Sequence, residues 1–202
     1  MPRAPPPAAG SAGSRGAARF RAAERVRSPS SFVRRERVRH STSHPSTYVV
    51  AIGSNRRGRH GPPRAEVAAA ITLLDGTASP IIVSAPLGPS TRTFANAAVL
   101  IRSTVPPPAL LDRLKAIERD FGRRRGRRWG ERVIDLDIVL WSGGTWRSPT
   151  LTIPHPAFRM RDFVLRPMAA IAPRWRDPRT ARTVRQLHAR LTRARAVPNA
   201  RR

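Results

Sequence analysis

The chain contains no cysteine, a single lysine and a single tyrosine, and only 12 acidic residues among its 202 residues. Without cysteine there is no disulfide framework, no thiolate metal site and no cysteine nucleophile, and a reducing cytoplasm is the compartment that we expect. No apolar run approaches the roughly 18–20 residues that a membrane span needs, so we expect no membrane association. The G-x-x-x-x-G-K-[ST] and G-x-G-x-x-G loops are also absent, so any phosphate must be bound by other groups.

The scarcity of acids leaves a formal net charge of +27, carried by 38 arginines and Lys115. Such an excess of cationic side chains is typical of proteins that bind nucleic acids. Residues 1–47 and 174–202 carry net charges of +8 and +9, so most of the excess lies at the two ends of the chain. An arginine-rich nucleic-acid-binding module therefore stays open as an alternative, although we do not expect nucleic acid to be the main partner.

The composition divides the chain into three parts. Residues 1–47 are rich in Pro, Ala, Ser and Arg and have few large apolar side chains, so we expect a disordered basic leader. This leader either resembles an organelle transit peptide or is translated from an upstream start codon. Residues 48–173 are the expected folded domain. Residues 174–202 are interpreted as a basic C-terminal tail with a short helix around Val184 to Leu191, to which we assign no chemistry.

Hydrophobic patterning predicts a β-α-β-β-α-β order in the middle of the chain. The expected strands are Tyr48–Ile52, Ile81–Val83, Phe94–Ile101 and Val133–Trp141, and the expected helices run from Arg64 to Leu74 and from Pro106 to Phe121. This order is typical of a ferredoxin-like α+β fold. We therefore expect an antiparallel sheet with the helices on one face and the active cleft on the other.

The strongest chemical signal is a pair of acidic residues on the last predicted strand. Because side chains alternate across a strand, Asp135 and Asp137 share a face, with Cα atoms about 6–7 Å apart. The apolar residues expected to pack on the helices from the opposite face are Ile134, Leu136, Ile138 and Leu140. Two adjacent carboxylates repel each other unless a cation neutralises them, and they suit a divalent ion that also binds phosphate. The alternative is a solvent-facing pair held by salt bridges.

A cluster of arginines lies just before this strand. The cluster consists of Arg123, Arg124, Arg125, Arg127, Arg128 and Arg132. Arginine forks beside a carboxylate pair indicate a polyphosphate that is held from both sides, with guanidinium groups taking up the charge on the leaving group. Trp129, within the cluster, can stack on a flat ring, either of a substrate or of RNA.

The segment from Arg128 to Ile138 resembles the signature of the 6-hydroxymethyl-7,8-dihydropterin pyrophosphokinase family of folate biosynthesis. The resemblance runs from Tyr48 to about Pro173. It includes Gly53-Ser54-Asn55, Phe94-Ala95-Asn96-Ala97-Ala98, Ile117-Glu118 and Leu151-Thr152-Ile153-Pro154-His155-Pro156. It implies transfer of the β,γ-diphosphate of ATP to the hydroxymethyl group of the pterin, which leaves AMP. An inactive or altered-substrate relative stays open, because the segment 84–93 is shorter than in many relatives.

The resemblance also implies roles for individual residues. Asp135 and Asp137 would hold two magnesium ions across the ATP phosphates, and Arg123 and Arg132 would be the catalytic arginines that stabilise the transferring group. The residues implied in binding ATP are Lys115, Glu118, Arg125, Trp129, Ile138, Thr152, His155 and Arg161. Those implied in binding the pterin are Leu87, Phe94, Asn96, Trp129 and Phe163, with the pterin between the rings of Trp129 and Phe163. We expect the chain to act as a monomer.

We predict that residues 1–47 are cut readily by proteases and that a chain starting near Thr47 keeps full activity, because the leader cannot bury enough apolar surface to fold. Limited proteolysis, followed by an assay of the shortened chain, tests both expectations. A loss of activity greater than about tenfold, equivalent to about 1.4 kcal/mol of barrier, would show that the leader contributes to folding or catalysis.

Overall fold

The computed structural model describes residues 44–85, 92–122 and 132–193. Most of the predicted leader and the end of the predicted tail lie outside these ranges. The elements in chain order are β1 (Ser46–Ser54), α1 (Pro63–Leu74), β2 (Thr77–Ala78), β3 (Ile82–Ser84), β4 (Phe94–Ser103), α2 (Pro107–Asp120), β5 (Asp135–Trp141), β6 (Trp146–Arg147), β7 (Thr152–Ile153), a 3-10 helix (Phe158–Met160), α3 (Asp162–Ile171) and α4 (Val184–Thr192). None of the helices in these ranges is both long and apolar enough to cross a membrane.

The main sheet is antiparallel and has β1 at its centre. β1 pairs with β4 on one side and with β5 on the other, and β2 and β3 both pair with the far edge of β4. The order β3-β4-β1-β5 is that of a ferredoxin-like fold, so the predicted α+β class is confirmed. The short strand β2, the β6–β7 hairpin and α3 have no counterpart in the prediction.

The first core lies between the sheet and the two predicted helices. Alternate residues of the strands face it, among them Ile52 of β1 and Val99 of β4, and α1 and α2 contribute Val67 and Leu114. All four are almost completely buried. Each helix has a proline in its first turn, where the absent N–H leaves no helical bond unmade.

The opposite face of the sheet is covered in part by α3 and α4. Val49 and Ala98 of the sheet pack there against Leu165 of α3. The helix α4, predicted around residues 184–191, buries Val184 and Leu187 in this second core. The packed structure therefore continues beyond residue 173, and the uncovered part of this face is the space left for a cleft.

A β-bulge in β5 changes the faces that strict alternation predicts. Val49 pairs with Leu140 and Val50 with Ile138, so Val139 is an extra residue on β5. Val139 and Leu140 both pack in the second core, whereas Ile138 packs in the first. The prediction that Leu140 shares a face with Ile138 is therefore wrong, because a bulge interrupts the two-residue period of a strand.

The single tyrosine reports on the packing of β1. Tyr48 is fully buried and its hydroxyl donates a hydrogen bond to the Val105 carbonyl at 2.8 Å. Burial raises the pKa of Tyr48 to about 12, from an ordinary value of 10.0. A raised pKa means that the folded state favours the neutral phenol, so this contribution to stability is complete below pH 10 and is lost as the pH rises through 12.

We predict that the phenolate absorbance of the folded chain develops near pH 12, and near pH 10 when the chain is unfolded in denaturant. The Tyr48→Phe variant serves as the absorbance blank, since it leaves the chain without tyrosine. Titration of the folded chain near pH 10 would contradict the described packing.

Candidate active site

The two aspartates lie on β5 beside the end of β1. Asp135 pairs with Gly53, and Asp137 pairs with Ala51. The side chains of the two aspartates are 23% and 38% exposed, on the face of the sheet away from the first core. A buried strand thus presents two carboxylates to the uncovered part of the second face.

Arg132 is tied to the carboxylate pair by its main chain and its side chain. Its N–H donates to Asn55 Oδ1 at 2.8 Å, and its carbonyl accepts the Asn55 N–H at 3.2 Å. Its Nη1 donates to Asp135 Oδ2 at 2.6 Å. Because Asn55 is almost fully buried, its amide fixes the point at which the chain enters β5 and places the guanidinium beside the carboxylates.

Gly53 lies between the carboxylates and Asn96 and leaves the space between them free of a side chain. It pairs with Asp135 on one side and with Asn96 on the other, so the three residues form one row across the sheet. Since neighbouring strands lie about 4.8 Å apart, Asn96 and Asp135 are about 10 Å apart at Cα on the same face. A Cβ atom at Gly53 would lie 3.3 Å from Asn96 Oδ1. Asn96 Nδ2 donates to Ser84 Oγ at 2.9 Å, which fixes the amide in place.

His155 is anchored on the bulge of β5. Its main-chain N–H donates to the Val139 carbonyl at 3.0 Å, and its Nε2 lies 4.0 Å from Asp137 Oδ2. Its Nδ1 accepts the Ala157 N–H at 3.3 Å. The neutral ring therefore carries its proton on Nε2, the nitrogen that faces the aspartate.

Burial lowers the pKa of His155, and the positive charge of Arg161 lowers it as well, against the raising effect of the Asp137 and Asp135 carboxylates. The net direction is downward, which favours a neutral imidazole at neutral pH. The guanidinium carbon of Arg161 lies 5.8 Å from the centre of the Phe163 ring. The cation that acts on the histidine thus lies beside an aromatic ring.

Helix α2 closes the open edge of β5. Glu118 Oε1 accepts the Leu136 N–H at 2.8 Å and the Lys115 ammonium at 2.6 Å. Lys115 also donates to the Leu136 carbonyl at 3.2 Å. Leu136 lies between the two aspartates, and an edge strand has no neighbouring strand for these groups. The Glu118–Lys115 pair therefore fixes the strand segment that carries both carboxylates.

For the other predicted site residues in the described ranges, the structure gives a position but no hydrogen bond to the carboxylate pair. Ile138 is buried in the first core, so any contact that it makes with a nucleotide comes from its main chain. Thr152 lies on β7 opposite Arg147, and Phe94 lies half-buried on β4, two residues from Asn96 on the same face. The predicted residues outside the described ranges are Leu87, Arg123, Arg125 and Trp129.

Three residues that hold the site were not singled out from the sequence as supports. Asn55 carried only a turn signal, as part of Gly-Ser-Asn after a strand, and nothing indicated that its amide binds residue 132. Ser84, the partner of Asn96, ends a short strand without any special pattern. The bulge at Val139 has no glycine or proline to mark it.

The carboxylate pair fits a divalent ion that arrives with a polyphosphate. Within residues 44–85, 92–122 and 132–193, no group of three or more His, Cys, Asp or Glu side chains is placed to hold a metal ion. Magnesium is ordinarily held by one or two carboxylates together with substrate phosphates and water. Asp135 and Asp137 can supply that protein share, in which case the remaining ligands would come from the substrate and solvent.

We predict that Glu118→Ala lowers the free energy of unfolding by about 1–3 kcal/mol, because it leaves the buried Leu136 N–H without its acceptor. Glu118→Gln keeps an acceptor for the Leu136 N–H and should lose less. Hydrogen exchange gives the local measurement: the Leu136 amide should exchange faster in Glu118→Ala, while the amide of Val50 on the central strand stays protected. Unchanged exchange at Leu136 would show that α2 does not hold this edge.

Comparison of the sequence with known proteins identifies a family and several relatives. The family model for 7,8-dihydro-6-hydroxymethylpterin-pyrophosphokinase (HPPK) matches residues 49–173, more than half of the chain. A 2-amino-4-hydroxy-6-hydroxymethyldihydropteridine pyrophosphokinase from Synechocystis is 45% identical over 100 residues, which are 50% of this chain and 51% of that protein. The protein of the same name from Pseudomonas aeruginosa is 38% identical over 137 residues, which are 64% of this chain and 82% of that protein.

The fold is similar to that of a protein whose structure has been solved. The crystal structure of wild-type Plasmodium falciparum HPPK-DHPS matches with a TM-score of 0.59 at 14% identity, over 75% of this chain and 42% of that chain. At that identity the likeness shows the fold alone. The matches of the family model and of the Pseudomonas relative show the family: the chain belongs to the 7,8-dihydro-6-hydroxymethylpterin-pyrophosphokinase family.

Proposed function

We propose that this chain transfers the β,γ-diphosphate of ATP to the hydroxymethyl group of 6-hydroxymethyl-7,8-dihydropterin, giving AMP and the pterin diphosphate in folate biosynthesis. The observation that carries the proposal is the row of Asn96, Gly53 and Asp135 across the sheet, with Arg132 bound to Asp135 at one end. A polar group that can read a heterocycle and a charged group that can bind a polyphosphate thus lie on one face. Relatives that match this chain are named for the same reaction.

The polyphosphate end of the site is formed by charges of both signs. Asp135 and Asp137 would hold magnesium, for which we propose two ions, while Arg132 and Arg161 would bind phosphate oxygens. Magnesium, when bound, would neutralise phosphate charge. The neutral His155, with its proton on Nε2, would donate a hydrogen bond to the nucleotide without adding charge.

The pterin end of the site is formed by β4 and the start of α3. Asn96 would pair with the polar edge of the pterin, because its amide offers a donor and an acceptor and is held by Ser84. Phe94, on the same face of β4, would line the pocket, and the Phe163 ring would stack on the pterin. Leu87 and Trp129 would complete the pocket. The remaining nucleotide contacts are assigned to Lys115, Glu118, Arg125, Ile138 and Thr152, and a catalytic contact to Arg123.

The reaction is a displacement at the β-phosphorus of ATP. The hydroxymethyl oxygen forms a bond to that phosphorus, the bond from the phosphorus to the α,β-bridging oxygen breaks, and AMP leaves with that oxygen. The proton of the hydroxyl passes to Asp137 or to water. Catalysis is then mainly positioning and charge stabilisation, as is usual for phosphoryl transfer. Arg132, whose orientation is fixed by Asp135, would stabilise the charge that builds up on the transferring group.

We predict that Asp135→Asn and Asp137→Asn each lower turnover by at least about 10²-fold, since losing one fixed charge partner of a transition state costs about 2.7–4 kcal/mol. The measurement is release of AMP from ATP in the presence of magnesium and the pterin, with a reaction lacking pterin as the blank. Asp112→Asn, an exposed carboxylate on α2, is the matched control and should turn over normally.

Near-normal turnover in both variants would show that the two aspartates are a structural pair, and the proposal would lose its main support. The nucleic-acid-binding alternative predicts instead no consumption of ATP and an affinity for nucleic acid that falls steeply with salt. That affinity would survive both substitutions, because removing an acid cannot remove a phosphate contact. The match to an enzyme family favours the transferase.

A further inference from the structure

A buried ion pair joins the 3-10 helix to the chain segment between α3 and α4. Arg159 Nε donates to Asp177 Oδ2 at 2.7 Å, and Arg159 Nη2 donates to Asp177 Oδ1 at 2.6 Å. The side chain of Asp177 has no exposed surface. A guanidinium fork that bonds both carboxylate oxygens fixes orientation as well as distance.

The carboxylate of Asp177 has further donors. Thr180 Oγ1 donates to Oδ2 at 2.6 Å, and the Arg179 N–H donates to Oδ1 at 3.1 Å. Burial raises the pKa of Asp177, but the hydrogen bonds from Arg159, Thr180 and Arg179 outweigh burial, so the net direction is downward. Asp177 therefore stays negatively charged in the folded chain at neutral pH.

The 3-10 helix that receives this pair lies between two residues of the candidate site. The His155 carbonyl accepts the Phe158 N–H at 3.3 Å, and the Phe158 carbonyl accepts the Arg161 N–H at 3.3 Å. Phe158 is fully buried in the second core, and the Arg159 guanidinium lies 4.6 Å from the centre of its ring. Any shift of Arg159 is therefore passed through one short helical turn to both His155 and Arg161.

The other end of the pair is firmly held as well. The Val184 N–H donates to the Trp175 carbonyl at 2.9 Å, and Thr183 and Gln186 form a reciprocal cap at the start of α4. Val184 is fully buried in the second core. The segment that carries Asp177 is thus fastened to the second core through α4, which also packs beside the 3-10 helix.

We infer that Arg159 and Asp177 are positioning residues for the nucleotide, which hold His155 and Arg161 at the polyphosphate end of the site. The inference rests on the proposed function. Stability alone does not account for such a pair, because replacing a buried ion pair by apolar side chains of similar volume is often neutral or stabilising. What the ion pair adds is a defined distance and angle between α4 and the turn that carries the two site residues.

The experiment compares three variants with the wild type: Arg159→Lys, the double variant Arg159→Met/Asp177→Asn, and Arg185→Lys on the exposed surface of α4 as the matched control. Arg159→Lys keeps the charge and loses the fork. The double variant removes both charges, so no unpaired charge is left buried, and the side-chain oxygen that Asp177→Asn retains is still an acceptor for the Arg179 N–H, so the chain should remain folded. Folding is measured by thermal unfolding, and nucleotide binding by calorimetry with magnesium and α,β-methylene-ATP.

We expect Arg159→Lys and the double variant to bind the ATP analogue about tenfold or more weakly, since misplacing positioning groups by about 1 Å costs up to about 10²-fold. KM for ATP should rise by a similar factor, while KM for the pterin and the melting temperature of the double variant stay near the wild-type values. Arg185→Lys should match the wild type throughout.

A double variant that melts like the wild type and also binds the analogue like the wild type would overturn the inference, since the pair would then be merely structural. Arg159→Lys with unchanged nucleotide affinity would overturn it too. A wild type that binds the analogue but releases no AMP with the pterin would remove the proposed function alone. The role of the pair in nucleotide binding would still be decided by the calorimetry.

Discussion

The site depends on an edge strand that carries two negative charges. β5 has the central strand β1 on one side only, so half of its main-chain groups need other partners, and Asp135 and Asp137 repel each other on one face. The Glu118–Lys115 pair of α2 supplies the missing partners at Leu136. The guanidinium of Arg132 lies against one aspartate. Because these supports come from different parts of the chain, the carboxylates reach their places only when the whole domain has folded.

The bulge at Val139 joins the second core to the chemistry of the site. With strict alternation, Leu140 would pack towards the first core, whereas the bulge turns Val139 and Leu140 together under α3 and α4. The same extra residue offers its carbonyl to the main chain of His155. Packing of the second core and the position of the histidine are therefore linked. The Arg159–Asp177 ion pair holds the 3-10 helix that follows His155 in the chain.

The hydrophobic periodicity of the sequence predicted the features that depend on local sequence alone. It located β1, β3, β4 and β5 and the first two helices, and it placed Asp135 and Asp137 on one face, because local alternation decides those features. It missed α3 in part because Pro167 lies inside that helix, where proline is disfavoured. It also missed the hydrogen bond from Arg132 to Asn55, which joins residues 77 positions apart. Contacts of that range follow from the assembled sheet and leave no trace in a local pattern.

The row through Gly53 has a consequence for substrate size. The separation between Asn96 and Asp135 is set by the hydrogen-bonded spacing of β4, β1 and β5, and a glycine with no side chain occupies the middle. Repacking of a core can move side chains, but it does not change the distance between paired strands. The pairing of the strands therefore fixes the distance between the Asn96 amide and the carboxylates. Only a molecule long enough to span that distance would contact both groups, so the sheet itself would select substrates by their length.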